Sequence, residues 1–101
     1  MEEKTFQERA RAAKIFKETD HENADFWSGY ERGLRRLYHG ERFGTPDEHV
    51  LWMSLIDDQD EARKMRGLGY RYGFAGHDTT TAIKMLNVSP RMVQTANLQP
   101  V

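Results

Sequence analysis

No stretch of this chain alternates apolar and polar residues over six positions with β-branched enrichment. No Asn-Gly or Asp-Gly pair marks a hairpin either, so the pattern predicts no strand. Helix signals take their place. Thr5-Phe6-Gln7-Glu8 is a capping box, Thr followed three residues later by Glu, and predicts a helix running to about Glu18. A second helix, roughly Ala24 to Tyr38, has Asn23 before it and Gly40 just past its end. Thr45-Pro46-Asp47-Glu48 repeats the capping box and adds a proline at the first helical position, where its missing N–H costs nothing. Asp58-Gln59-Asp60-Glu61 predicts a fourth start, and Ser89-Pro90 a fifth. The links are short: Thr19–Asn23, His39–Gly44, a break near Asp57, and Ala75–Asp78. Short links between helices predict an all-α fold, a compact bundle of five or six short helices ending in a helical hairpin.

Two segments of this pattern echo each other. Gly29-Tyr30-Glu31-Arg32-Gly33-Leu34 and Gly69-Tyr70-Arg71-Tyr72-Gly73-Phe74 both read G-Y-x-x-G followed by a large apolar residue. Glycine inside a helix costs about 1 kcal/mol relative to alanine, so something must offset it. Glycines four apart share a helix face and let another backbone come close. The second and fourth helices are therefore expected to cross at these glycines, with Trp27, Tyr30, Tyr70 and Phe74 sealing the edges. Trp52, Met53, Leu55 and Ile56 form a further apolar run, read as core packing or as a face for a partner.

Composition adds bounds. One hundred and one residues make one domain. The mean hydropathy is −0.84, so aromatic residues and methionines must fill much of the core. The longest apolar run is the four residues from Val50 to Met53, too short for a membrane span or a secretory core, and a cytoplasmic protein with no membrane partner is expected. The absence of cysteine excludes disulfides, thiol catalysis and thiolate zinc sites.

Net charge is −1, but its distribution is uneven. Residues 1–62 carry nine basic and fifteen acidic side chains, net −6, and residues 63–101 carry six basic and one acidic, net +5. One end of the molecule therefore suits an anionic partner that the other end would repel.

Signals for catalysis or metal binding are lacking. His21, His39, His49 and His77 have no i, i+4 pairing, and His49 beside Glu48 reads as structural or solvated. The acidic run Asp57–Glu61 lacks the glycine and late glutamate of a calcium loop and reads as helix capping. Gly67-Leu68-Gly69 with Gly73 follows no strand, so it does not read as a phosphate loop. No catalytic residue, metal site or cofactor is expected, and the protein is not expected to be an enzyme.

Residues 79–98 read Thr-Thr-Thr-Ala-Ile-Lys-Met-Leu-Asn-Val-Ser-Pro-Arg-Met-Val-Gln-Thr-Ala-Asn-Leu. This stretch resembles the helix-turn-helix of plasmid-partition-type DNA-binding proteins and of phage and plasmid replication proteins. In that motif one helix leads into a tight turn, and the next lies in the major groove. Six inward positions of such a motif fall on Ala82, Ile83, Leu86, Val88, Val93 and Ala96, all apolar. Asn87 falls at the turn, where it tolerates left-handed geometry second only to glycine. The resemblance implies that Arg91 and Gln94 read bases, that Ser89 and Thr95 fix phosphates, and that Lys84 adds attraction. Arg63, Lys64, Arg66 and Arg71 on the preceding helix would touch backbone phosphates.

The expected division is an acidic helical body over residues 1–76 and a helix-turn-helix over residues 77–101. Between Phe26 and Gly76 the chain looks like small bacterial proteins that have no activity to transfer, Tyr38 to Thr45 being the most distinctive part. The function expected is that of a small bacterial or mobile-element regulator binding duplex DNA as a homodimer. The other reading is a protein-interaction module or inhibitor that docks through residues 47–62, which hold six acids and no Lys or Arg. Residues 79–98 also fit an ordinary helical hairpin completing the bundle.

Overall fold

The structure, a computed structural model, describes residues 1–87. All their regular structure is helical, as the pattern predicts: α1 (Glu3–Thr19), α2 (Ala24–His39), α3 (Pro46–Ser54), α4 (Glu61–Phe74) and α5, which begins at residue 79 and is helical to residue 87. Single 3₁₀ turns at His21–Asn23, Gly40–Arg42 and Leu55–Asp57 join the first four.

The helix ends follow local chemistry, with two shifts from expectation. Thr45 caps α3 by accepting from the Glu48 N–H at 3.1 Å, with Pro46 in the first turn. Gly40, at φ 67°, ends α2 in the left-handed region that favours glycine. Thr5 is not a cap, because α1 starts earlier: the Phe6 N–H already donates to the Glu2 carbonyl at 2.9 Å. At α4 the cap is Asp60, which accepts from the Arg63 N–H at 3.0 Å, while Asp58 takes the Asp60 N–H at 2.8 Å. Asp78 does the same for α5 through the Thr81 N–H at 2.7 Å, and that bond holds its carboxyl below the usual range.

The centre of the fold is the expected crossing of α2 and α4. A Cβ built on Gly29 would lie 1.9 Å from the Arg66 carbonyl oxygen, and one on Gly33 would lie 2.1 Å from that of Tyr70. Reciprocally, a Cβ on Gly69 would meet the Phe26 oxygen at 1.9 Å, and one on Gly73 the Tyr30 oxygen at 2.2 Å. One turn along α2 matches one turn along α4, so the two helices run in the same direction. The contacts also repeat after forty residues: Gly29 faces Arg66 as Gly69 faces Phe26. The glycine Cα–H bonds point at these carbonyls, the weak Cα–H···O geometry of close helix interfaces.

The paired tyrosines extend the same symmetry. The Tyr30 hydroxyl donates to the His77 carbonyl at 2.7 Å, in the segment after α4, and Tyr70 reaches His49 on α3, which follows α2. Each tyrosine thus ties its helix to what comes after the other.

Around the crossing, Phe26, Trp27, Tyr30 and Leu34 are fully buried with Ala13 of α1 and Ala82 of α5, and Leu86 of α5 is buried beside them. Phe16 stacks on Trp27 at 4.8 Å, and Phe6 on Tyr38 at 4.1 Å, fastening α1 to α2. Aromatic area and close backbone approach replace the aliphatic bulk that the composition lacks.

Candidate functional site

The side chains with most chemical capacity among the described residues lie between α2 and α3. Helix α2 projects Ser28, Glu31, Arg32 and Arg35 along one side at helical spacing. One turn on, buried Arg36 donates from Nη1 to the Phe43 carbonyl at 3.0 Å and pins the link before α3. That bond brings the Phe43 ring over α2. Helix α3 then presents Glu48, His49 and Trp52. The Arg32 guanidinium lies 5.3 Å from the Phe43 ring centre and 5.0 Å from that of Trp52, and its Nη2 donates to Glu48 Oε2 at 2.9 Å.

Beneath this cluster, His49 Nδ1 lies 2.7 Å from the Tyr70 hydroxyl. Burial pushes the Tyr70 hydroxyl up from 10.0, so it keeps its proton. Burial, and then the charge of Arg36, hold His49 below its ordinary 6.5, so its ring is neutral at pH 7. The internal space here is only about 10 Å³, room for about one water molecule. Outside it, Ser28, Glu31, Arg32, Arg35, Phe43 and Trp52 line an open groove of about 430 Å³.

The lowered His49 value sets a pH dependence. The folded protein binds this proton less readily than the unfolded chain does, so the contribution is complete above the ordinary value of 6.5. It is lost as pH falls through the lower native value. The thermal midpoint of the wild type is expected to drop between pH 7 and pH 5 by more than that of His49→Gln, followed by circular dichroism. Equal slopes for the two proteins would refute the assignment.

The residues expected to meet DNA are placed as follows. Lys84 is exposed on α5, whereas Ala82 and Leu86 are buried and Ile83 is half-buried. Asn87 is still helical, and among the described residues no side-chain-bearing position has positive φ, so the left-handed turn expected at Asn87 is not found there. Ser89, Arg91, Gln94 and Thr95 lie outside the described residues, as do Val88, Val93 and Ala96. Lys64 is exposed, and exposed Arg63 stands 3.8 Å from Asp58. Arg66 pairs with Asp25 at 3.0 Å, bracing α4 against α2, and Arg71 donates twice to the Met53 carbonyl, holding the end of α3.

Comparison with protein-family models, with curated proteins and with solved structures finds no match. The site therefore stands on its own geometry.

Within the acidic stretch 47–62 the acids divide. Glu48, Asp58 and Asp60 are engaged with Arg32, Arg63 and the α4 N-terminus, while Asp47, Asp57 and Glu61 are exposed. Val50 and Leu51 of α3 are 65% and 55% exposed, opposite His49 and Trp52 on the helix. Among the described residues no group of three or more His, Asp or Glu is placed to hold a metal ion, and no helix is long and apolar enough to cross a membrane.

Sequence reasoning passed over Arg32, Arg35, Arg36 and Phe43. The signal was present as three arginines within five residues of α2, leading into Tyr38-His39-Gly40-Glu41-Arg42-Phe43-Gly44-Thr45. Only the docking of α3 turns that run into a site.

Proposed function

We propose that this protein is a small, non-enzymatic regulator that binds duplex DNA through residues 79–98, as a homodimer reading two half-sites. The observation that supports it most is the side-chain order on α5: Ala82 and Leu86 face the core while Lys84 faces solvent. That is the order the first helix of a helix-turn-helix needs, on the end of the chain where the +5 charge gathers. Arg66 and Arg71 already serve contacts between helices, so phosphate attraction falls to Arg63, Lys64 and Lys84 beside Ser89 and Thr95.

Titration against mixed-sequence duplex DNA at low and physiological salt tests the proposal. Affinity should fall steeply with salt, and the double variant Arg91→Ala/Gln94→Ala should bind at least about tenfold more weakly to a preferred site. Absence of binding at low salt, or a double variant that binds like the wild type, would falsify it.

A second reading has one observation in its favour. Asp47, Val50, Leu51 and Ser54 follow one another at i, i+3, i+4 and i+7 on the outer side of α3, all exposed. A short apolar stripe beside Asp47, Asp57 and Glu61 suits a basic protein segment with apolar anchors. A protein that ignores DNA at low salt would leave this reading in place.

A further inference from the structure

We propose that residues 45–52 form an arm that opens locally from the α2–α4 crossing, and that a proton taken up by His49 releases it. The proposal shares no residue with the DNA reading of residues 79–98 and stands whether or not that reading does.

The ends of the arm are fixed and its middle is lightly held. Before it, buried Arg36 holds the Phe43 carbonyl at 3.0 Å. Behind it, Arg71 holds the Met53 carbonyl at 2.6 and 3.0 Å. The turn Leu55–Asp57 then lies so close on α4 that a Cβ on Gly67 would be 2.7 Å from the Ile56 nitrogen. Between these anchors no residue of α3 is buried, and its aliphatic side chains Val50 and Leu51 are exposed. The Arg32 guanidinium, paired with Glu48 at 2.9 Å, lies 5.0 Å from the Trp52 ring, and Trp52 lies 5.6 Å from Tyr70. His49 lies 4.6 Å from the Phe74 ring, with Nδ1 2.7 Å from the Tyr70 hydroxyl. A segment with so little buried apolar surface belongs to the low-stability end of a structure. A nine-residue helix has no stability of its own in water, so the arm loses its helix when it leaves.

Charge decides when it opens. A protonated His49 faces Arg32 and Arg36 of α2 and Tyr70 and Phe74 of α4, while Phe43, Gly44 and Thr45 of the link carry no charge. Among the described residues lining this space Glu48 is the one carboxylate, and Arg32 already takes it. Arg36 has no room to retreat, because it is buried on the Phe43 carbonyl, and a space of about 10 Å³ admits no counter-ion. The bond to Tyr70 survives protonation, since a hydroxyl both donates and accepts; what costs free energy is the added charge. Burial, and then Arg36, hold the docked ring below 6.5, whereas the ring of an open arm returns to that ordinary value. Closure is therefore strongest above pH 6.5 and weakens as pH falls through the lower native value. Opening uncovers Tyr70 and Phe74 and frees Arg32 from between Trp52 and Phe43.

Native-state hydrogen exchange on the full chain, corrected for the intrinsic pH dependence of amide exchange, tests both parts. At pH 7 the amides of residues 49–52 are expected to be at least about tenfold less protected than those of residues 69–73 in the crossing. From pH 7 to pH 5 the protection of residues 49–52 should fall at least about fivefold in the wild type and stay level in His49→Gln. Nuclear magnetic resonance of the wild-type His49 ring, which needs no substitution, should give a titration below 6.5. Equal protection of the two segments at pH 7 would mean that α3 opens only when the whole domain does, and would overturn the proposal. A fall of the same size in His49→Gln, or a wild-type His49 that titrates at or above 6.5, would overturn it as well.

Discussion

Gly69→Ala is expected to destabilise this protein by at least about 3 kcal/mol, a loss of roughly 15 °C in the thermal midpoint of a domain this small. The direction is the informative part. In an exposed helix the same change stabilises by about 1 kcal/mol, because alanine is the better helix former. Here the new methyl would lie 1.9 Å from the Phe26 carbonyl oxygen and 2.8 Å from the Tyr30 nitrogen. Both are backbone atoms of α2, so no side chain can turn aside to make room. The helices must separate, and the rest of the interface separates with them: Gly73 against Tyr30, Gly29 against Arg66, and the packing of Trp27 and Tyr70. Gly29→Ala should behave alike, because the crossing repeats the contact with the roles of the helices exchanged. Thermal melts followed by circular dichroism decide the matter. A midpoint unchanged or raised in either variant would show that the helices do not touch at these glycines.

Trp27→Ala is the second large expected effect, about 3–5 kcal/mol by denaturant titration. Trp27 is fully buried where three elements meet. It stacks with Phe16 of α1 at 4.8 Å, stands edge-on to Phe26 at 5.1 Å and to Tyr30 at 5.5 Å, and donates from Nε1 to Asp20 at 3.3 Å. Removing the indole leaves a cavity that a glycine-pinned crossing cannot close, because α2 and α4 are already at backbone contact. A domain of this size has about 5–15 kcal/mol in total, so the variant should approach the limit of folding. Trp27→Phe keeps most of the ring packing and should lose markedly less. If the two substitutions cost the same, the loss would lie in the Asp20 hydrogen bond and not in the packing of the ring.

These expectations separate what was readable along the chain from what was not. The helices were readable because their signals are local: Thr45 with Pro46 before α3 and Gly40 after α2 each act within one turn. Thr5 misled for the same reason. Its capping box is a valid local signal, but the chain before it also has helical competence, and α1 simply begins at Glu3. The glycine crossing was readable because two identical motifs forty residues apart carry a cost that only a close partner can offset. The groove was not readable. Arg32, Arg35 and Arg36 look alike in the sequence, yet one is clamped between rings, one has no partner among the described residues, and one is buried on backbone carbonyls. Nor could the sequence show that Arg66 and Arg71, counted among the cations for DNA, are engaged with Asp25 and the Met53 carbonyl.

Secondary structure, the all-α class and the pairing of α2 with α4 thus came from short-range preferences and one repeated motif, since these depend on neighbours within a few residues or on a cost with a single remedy. Which arginine is clamped and which is buried, why His49 is neutral, and where a groove opens depended on the packing of α3 against α2 and α4. Those properties arise from burial and from side chains brought together from different helices, as in Arg32 with Glu48, His49 with Arg36 and His49 with Tyr70. Distance in sequence carries no information about such contacts until the fold makes them.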